Sequence, residues 1–423
     1  MALHPGHHQR GQAIKPLPRR TRERVAGSVF EAVTRVAGLR PSIIPEHMRR
    51  QLRIIGASDE QIARVLPRLR SLGEWPYVWE AEGDARAAEG DWRGAFAAWY
   101  VAQRILLAPS PLKRRLYQLA VGAYARMEQP PLERFTVRNK LGDDIAGYLQ
   151  LPYGARGGEP VACVLMVPGV TGTKEELHPY CMPFLRRGLA VARIDSPVYG
   201  ETTGLLTLET AANARFVVPH LAADPRLNSD RIHLHGMSMG AHFALTSAVH
   251  SHVASITVIC PPFTPGVYLR DLPTLNLTAI QHMTRREDID GLVAFADELS
   301  LKQVAPHIEV PVRIFHGGRD RTIPIADGIA LAEAVGGPSA LTIFERDHHN
   351  CLEHIDEITA LTLEFLRDPH GACARREDVE RVDVAATVHA TDRDARRAVE
   401  GLEPTRRRVR LPFAWRHARS STS

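Results

Sequence analysis

The stretch RIHLHGMSMGAHFALTSAVH, residues 231–250, joins an alternating strand to an apolar helix through a serine set between glycines. No other local pattern in the chain restricts the fold as strongly. A strand that becomes a helix across one residue needs a very tight turn, and a side chain at Gly236 or Gly240 would collide with the neighbouring strand or helix. Ser238 at the apex is expected to carry a strained backbone and to lift its hydroxyl above the sheet. The plain alternative is a chance glycine-flanked serine in an ordinary strand-to-helix turn. The downstream partners described below weigh against it.

From Phe135 onward, strand and helix patterns alternate. A hairpin, Phe135–Asn139 and Ile145–Leu151 around Gly142-Asp143-Asp144, opens the series. Strands are then read at Val161–Val167, Ala190–Asp195, Arg231–His235, Ile256–Cys260, Val312–His316 and Leu341–Phe344. Helices are read near 174–187, 208–221, 238–250, 325–335 and 355–366. Such alternation predicts an α/β fold with a mainly parallel, eight-stranded sheet covered by helices on both faces. A proline-containing, helix-prone insert at 264–305 is long enough to form a lid.

The preceding part reads as helical. Val29, Val33 and Val36 repeat at helix spacing, and Ser58 with Gln61 forms a capping box before Ile62, Val65, Leu66 and Leu69. A break at Gly90-Asp91 makes a helical hairpin in which Trp79, Trp92, Trp99 and Tyr100 supply bulk, as core rather than as a ligand cage. The hairpin is loosely like a tetratricopeptide unit, but no second copy follows at a fixed period. The expected organisation is a disordered basic tail (1–21), a cap-like helical domain (22–130), a catalytic domain (131–368) and a mobile, Arg-rich tail (369–423).

With 53 Lys+Arg against 48 Asp+Glu among 423 residues the net charge is +5, concentrated toward the ends, so no nucleic-acid partner is implied. No leader-type apolar segment opens the chain, and no apolar run approaches membrane-spanning length. Five scattered cysteines without a CxxC pair suggest neither disulfides nor zinc, and with them a cytoplasmic location. A metal site at His4, His7 and His8 lacks anything to hold its geometry.

A serine hydroxyl needs a base, and the base an orienting acid, here in the order serine, acid, histidine. Asp320, in the glycine-rich loop HGGRDRTIP after a strand, is the expected acid; an aspartate in a polar turn is its bland reading. Two adjacent histidines end the last strand. His349 is favoured as base, with His348 as the alternative and His354 a weaker choice; a metal site from these three lacks further ligands. The oxyanion donors expected are the amides of Met239, at the helix start, and Val170, in the loop 168–176. Thr173 could cap the following helix, Glu175 and Glu176 could favour its first turn, and Asp195 would shape its loop. No cofactor or metal is called for.

These residues resemble the α/β-hydrolase superfamily over about 131–368. The helical N-terminal domain, the TKEE run (Thr173–Glu176), the DSPVYGE loop (Asp195–Glu201), GMSMG, HGGRD and His349-x-Cys351 are together similar to FrsA/Ayg1-like esterases and carbon–carbon hydrolases of the 2,6-dihydroxypseudooxynicotine hydrolase type. The resemblance implies a Ser-Asp-His triad lying between helical domain and sheet. Carbon–carbon hydrolases of this group commonly carry an acidic residue where Thr171 stands, so a carboxylic ester is the expected substrate. A β-diketone or acyl-phenol is the alternative, and a non-catalytic binding protein a third reading. The expected partner is a small-molecule ester or ketone, with homodimerisation left open.

Overall fold

The computed structural model describes residues 46–127, 129–153, 158–373, 379–382 and 406–409. The 1–21 tail with its histidine trio, the Val29–Val36 pattern and most of 369–423 lie outside the described residues.

The apolar run of β3 (Val161–Val167) shows why the sheet is buried on both sides. Cys163, Leu165 and Val167 pack into one core layer while Val164 and Met166 enter another across the sheet. A strand with two covered faces has no polar alternation. The hairpin strands β1 (Leu132–Arg138) and β2 (Asp144–Gln150) form the antiparallel edge. β4 (Ala190–Ile194), β5 (Leu227–Met237), β6 (Ser255–Ile259), β7 (Val312–Gly317) and β8 (Ser339–Phe344) follow, in the order β1-β2-β4-β3-β5-β6-β7-β8, parallel from β4 to β8.

The eight expected strands are joined by two more beyond β8. Val379–Val382 (β9) pairs parallel with β8, and Arg406–Val409 (β10) pairs antiparallel with β9. Both fall in the stretch expected to be a tail. VERV and RRRV are too short and too charged to carry a periodic signal, and RRRV, at the sheet's edge, is charged as edge strands commonly are.

Before the sheet come α1 (Glu46–Ile55), α2 (Asp59–Val65), α3 (Trp75–Ala88), α4 (Trp92–Arg104) and α5 (Pro111–Tyr124). The capping box forms, Ser58 Oγ accepting from Gln61 N and Gln61 Oε1 from Ser58 N, each at 3.1 Å. Asp91 caps α4 through the Gly94 amide at 2.9 Å, which fixes the break between α3 and α4. Trp79, Trp99 and Tyr100 are buried in this layer's own core, which Tyr148 of β2 joins from the sheet. The helical layer is thereby fastened to the antiparallel edge.

Candidate active site

Ser238 links β5 to α8 (Met239–Ala248; α6 is His178–Arg186 and α7 Ala214–Ala222) with φ 56° and ψ −129°. A Cβ on Gly236 would lie 2.3 Å from Gly240 O, and one on Gly240 would lie 2.2 Å from Val167 O. Both glycines are therefore required by contact. Gly240→Val is accordingly expected to prevent folding to the native state, seen as loss of the cooperative thermal transition.

His349 Nε2 lies 2.9 Å from Ser238 Oγ, and its Nδ1 lies 2.7 Å from Asp320 Oδ2. The other Asp320 oxygen accepts from the amides of Thr322 (2.7 Å) and Ile323 (2.9 Å), so the carboxylate is fixed by its own turn. Burial opposes charging His349, but Asp320, with Cys260 also adjacent, raises it from 6.5 to about 9. Burial likewise works against the Asp320 carboxylate, but the hydrogen bond and charge of His349, with the Ile323 and Thr322 amides, together outweigh it and lower its pKa. His348 is exposed and turns its Nδ1 to Arg319 O at 3.2 Å, while His354 bonds Asp347 at 2.7 Å. The three histidines thus face different partners.

As the first residue of α8, Met239 has no intrahelical acceptor for its N–H, whereas the Ser238 N–H is taken by Ile259 O at 2.8 Å. The loop after β3 runs alongside. A Cβ on Gly169 would touch Ser238 Cβ at 3.4 Å and lie 3.9 Å from Met239 N. Val170 therefore belongs to the immediate surroundings of the serine.

In front of Ser238 opens a pocket lined by Val170, Met239, Tyr268, Leu272, Ile280 and Phe295 among others. Much of it comes from the insert, whose helices are α9 (Pro265–Tyr268), α10 (Thr274–Thr284) and α11 (Ile289–Glu298). None of its lining comes from residues 46–127. A cap-like helical region at 22–127 would be expected to form much of the acyl pocket together with the insert 264–305, and its described part does not. Trp75, Trp79, Phe96, Trp99, Tyr100 and Tyr124 are taken up by its own core.

No family model matches the chain. Over 251 residues it is 26% identical to the 2,6-dihydropseudooxynicotine hydrolase of Paenarthrobacter nicotinovorans, an alignment spanning 57% of this chain and 65% of the relative, just under two thirds of that relative's length. The crystal structure of 2,6-dihydroxy-pseudo-oxynicotine hydrolase superposes with a TM-score of 0.59 at 20% identity, covering 73% of this chain and 94% of that one. The structure of AbyA5 gives 0.65 at 21% identity, covering 78% and 97%. The chain has the α/β-hydrolase fold.

In this α/β-hydrolase fold, five of the seven non-glycine residues with positive φ among those described crowd the site: Thr171, Ser238, Cys260, Asn350 and Cys351. Strain of this kind persists only where surroundings over-determine it. The Asn350 and Cys351 pair reverses the chain just after His349, which swings that ring inward.

Sequence reasoning missed what lies behind the histidine. Cys260 and Cys351 are both buried with sulfurs 3.8 Å apart, and His316 Nε2 lies 3.9 Å from Asp320. Among the described residues, Cys260, His316 and Asp320 form a group able to offer metal donors. Yet Asp320 is committed to His349, and His316 Nε2 to Ile323 O at 3.1 Å. Only the His349-x-Cys351 spacing hinted at this cluster.

Helix α6 begins at His178, not near Lys174, and the residues expected to start it do other work. Thr173 bonds Tyr100 OH at 3.1 Å, Glu176 pairs with Arg104, and Glu175 accepts from Tyr117 OH at 2.9 Å. Asp195 shapes its loop as expected, accepting from the Lys174 and Glu201 amides, each at 2.8 Å.

Proposed function

We propose that the chain is a serine hydrolase that cleaves a carboxylic ester by acyl transfer to water. The observation that carries this is the hydrogen-bonded series Ser238, His349 and Asp320 opening onto an apolar pocket. His349 takes the Ser238 proton as Oγ adds to the ester carbonyl, and Asp320 stabilises the resulting imidazolium. The amides of Met239 and Val170 donate to the tetrahedral oxygen. The alcohol leaves with the proton from His349, and water then attacks the acyl-enzyme by the same route in reverse. None of these steps calls on a metal or cofactor.

Support for the substrate class comes from the pocket walls, which are mainly apolar and present no charged side chain. A neutral, apolar acyl or aryl group fits them. Leu272→Trp, at the lining, is expected to raise KM for long-chain or aryl esters about tenfold while acetyl esters change less than twofold, within what one hydrophobic contact can discriminate. Steady-state kinetics on a chain-length series checks it.

The deciding experiment is reaction with a fluorophosphonate, followed by product analysis on an ester and ketone panel. Labelling at Ser238 with release of acid and alcohol supports the proposal. A chain inert to the reagent and to every ester would overturn it in favour of a binding protein. The likeness to the pseudooxynicotine hydrolase favours one other reading, carbon–carbon hydrolysis of a β-diketone or acyl-phenol on the same groups, which product analysis would reveal. We also propose a cytoplasmic location, which the five free and buried cysteines support.

A further inference from the structure

Lys174 is fully buried, and its ammonium lies 3.0 Å from Asp195, 3.2 Å from Glu175 and 2.8 Å from Glu201. It also donates to Tyr117 OH at 3.3 Å and sits 4.9 Å from the centre of the Tyr148 ring. A lysine surrounded by three carboxylates in a dry interior is held charged by them. None of this touches the pocket. What it does touch is the exit of the loop that carries Val170.

That loop is gripped at both ends by the turn after β4. Ser196 Oγ donates to Gly169 O at 2.5 Å, and Ser196 N donates to Gly172 O at 3.1 Å. At the exit, Lys174 N donates to Asp195 Oδ1 while Lys174 Nζ holds Asp195 Oδ2. Between the grips, Thr171 has φ 66°, a left-handed conformation that a β-branched residue keeps only under constraint. The constraint extends to the helical layer, because Tyr117 of α5 donates to Glu175, and Tyr100 and Arg104 of α4 bond Glu176.

We propose that Lys174 is a positioning residue for the oxyanion loop, and that the helical layer acts on catalysis through the Tyr117–Glu175–Lys174 contacts rather than through the pocket. This rests on the serine-hydrolase reading above. Lys174 neutralises the carboxylates that meet there, so Asp195 can hold both the loop exit and the Glu201 amide. Without the ammonium, the buried carboxylates repel or take up protons, and the Val170 amide loses its aim. Oxyanion donors act through alignment with charge that develops in the transition state, so ground-state binding is spared.

The test compares Lys174→Met, Lys174→Arg and Tyr117→Phe for ester turnover, for inhibition by a trifluoromethyl ketone, and for binding of the matching unfluorinated ketone. The fluorinated ketone adds Ser238 Oγ to its carbonyl carbon and leaves an oxyanion for the loop to hold. Lys174→Met is expected to lower kcat about 100-fold and Tyr117→Phe about fivefold, on the scale of a weakened oxyanion donor. KM and affinity for the unfluorinated ketone should stay within twofold, inhibition by the fluorinated ketone should weaken in parallel with kcat/KM, and Lys174→Arg should recover most of the loss. Should Lys174→Met fail to fold, the other two variants carry the comparison. Undiminished kcat in Tyr117→Phe or in a folded Lys174→Met, or lost turnover with full affinity for the fluorinated ketone, would overturn the inference alone. A wild-type chain that the fluorinated ketone does not inhibit would overturn the serine-hydrolase reading, and this inference with it.

Discussion

Ser238→Ala is expected to lower kcat by about 10⁶-fold while leaving the fold and KM nearly unchanged. The substitution removes the one oxygen within 2.9 Å of His349 Nε2 and leaves the histidine bonded to Asp320. Alanine suits the turn as well as serine does. The space there is set by the missing side chains of Gly236 and Gly240, and the strained φ is enforced by the Ser238 N–H bond to β6, which alanine retains. Thermal unfolding should therefore shift by no more than a few degrees, and fluorophosphonate labelling should vanish. Undiminished labelling or turnover in the variant would remove Ser238 from the mechanism.

The legible part of this chain was that in which one residue pattern permits one geometry. β3 has no polar alternation because both faces are buried, and GMSMG admits no Cβ at either glycine. Both constraints are local, so sequence reveals them. The run from Thr173 to Glu176 looks like the acidic start of a helix, and locally it is a good one. Its side chains instead bond Tyr100, Arg104 and Tyr117, and the helix starts five residues after Thr173, at His178. Tertiary partners outweighed local preference there, and nothing in the neighbouring residues announces partners fifty or more positions earlier. The tryptophans of the helical hairpin were legible as core, and Trp79 and Trp99 fill the core of their own layer.

The choice between His348 and His349 shows where spacing runs out, because adjacent loop side chains point apart and sequence does not say which points inward. The turn of Asn350 and Cys351 brings His349 to Ser238 and leaves His348 exposed. His349→Gln is expected to lower kcat by about 10⁴- to 10⁶-fold, since the hydroxyl then has no base, and His348→Gln to leave it within twofold. Asp320→Asn should cost about 10⁴-fold. These effects come with a signed pH dependence. His349 accepts a proton only when neutral, and its pKa, which burial would lower, is raised to about 9 chiefly by Asp320. In the wild type, kcat/KM should therefore climb with pH through about 9, later than an ordinary histidine at 6.5 would allow. With Asp320 replaced by asparagine the larger raising influence is gone while burial and Cys260 remain, so the limb of the residual activity should move to lower pH. A pH–rate profile of the two proteins checks this directly: an unmoved limb in Asp320→Asn, or a dead His348→Gln beside an active His349→Gln, would reassign the base.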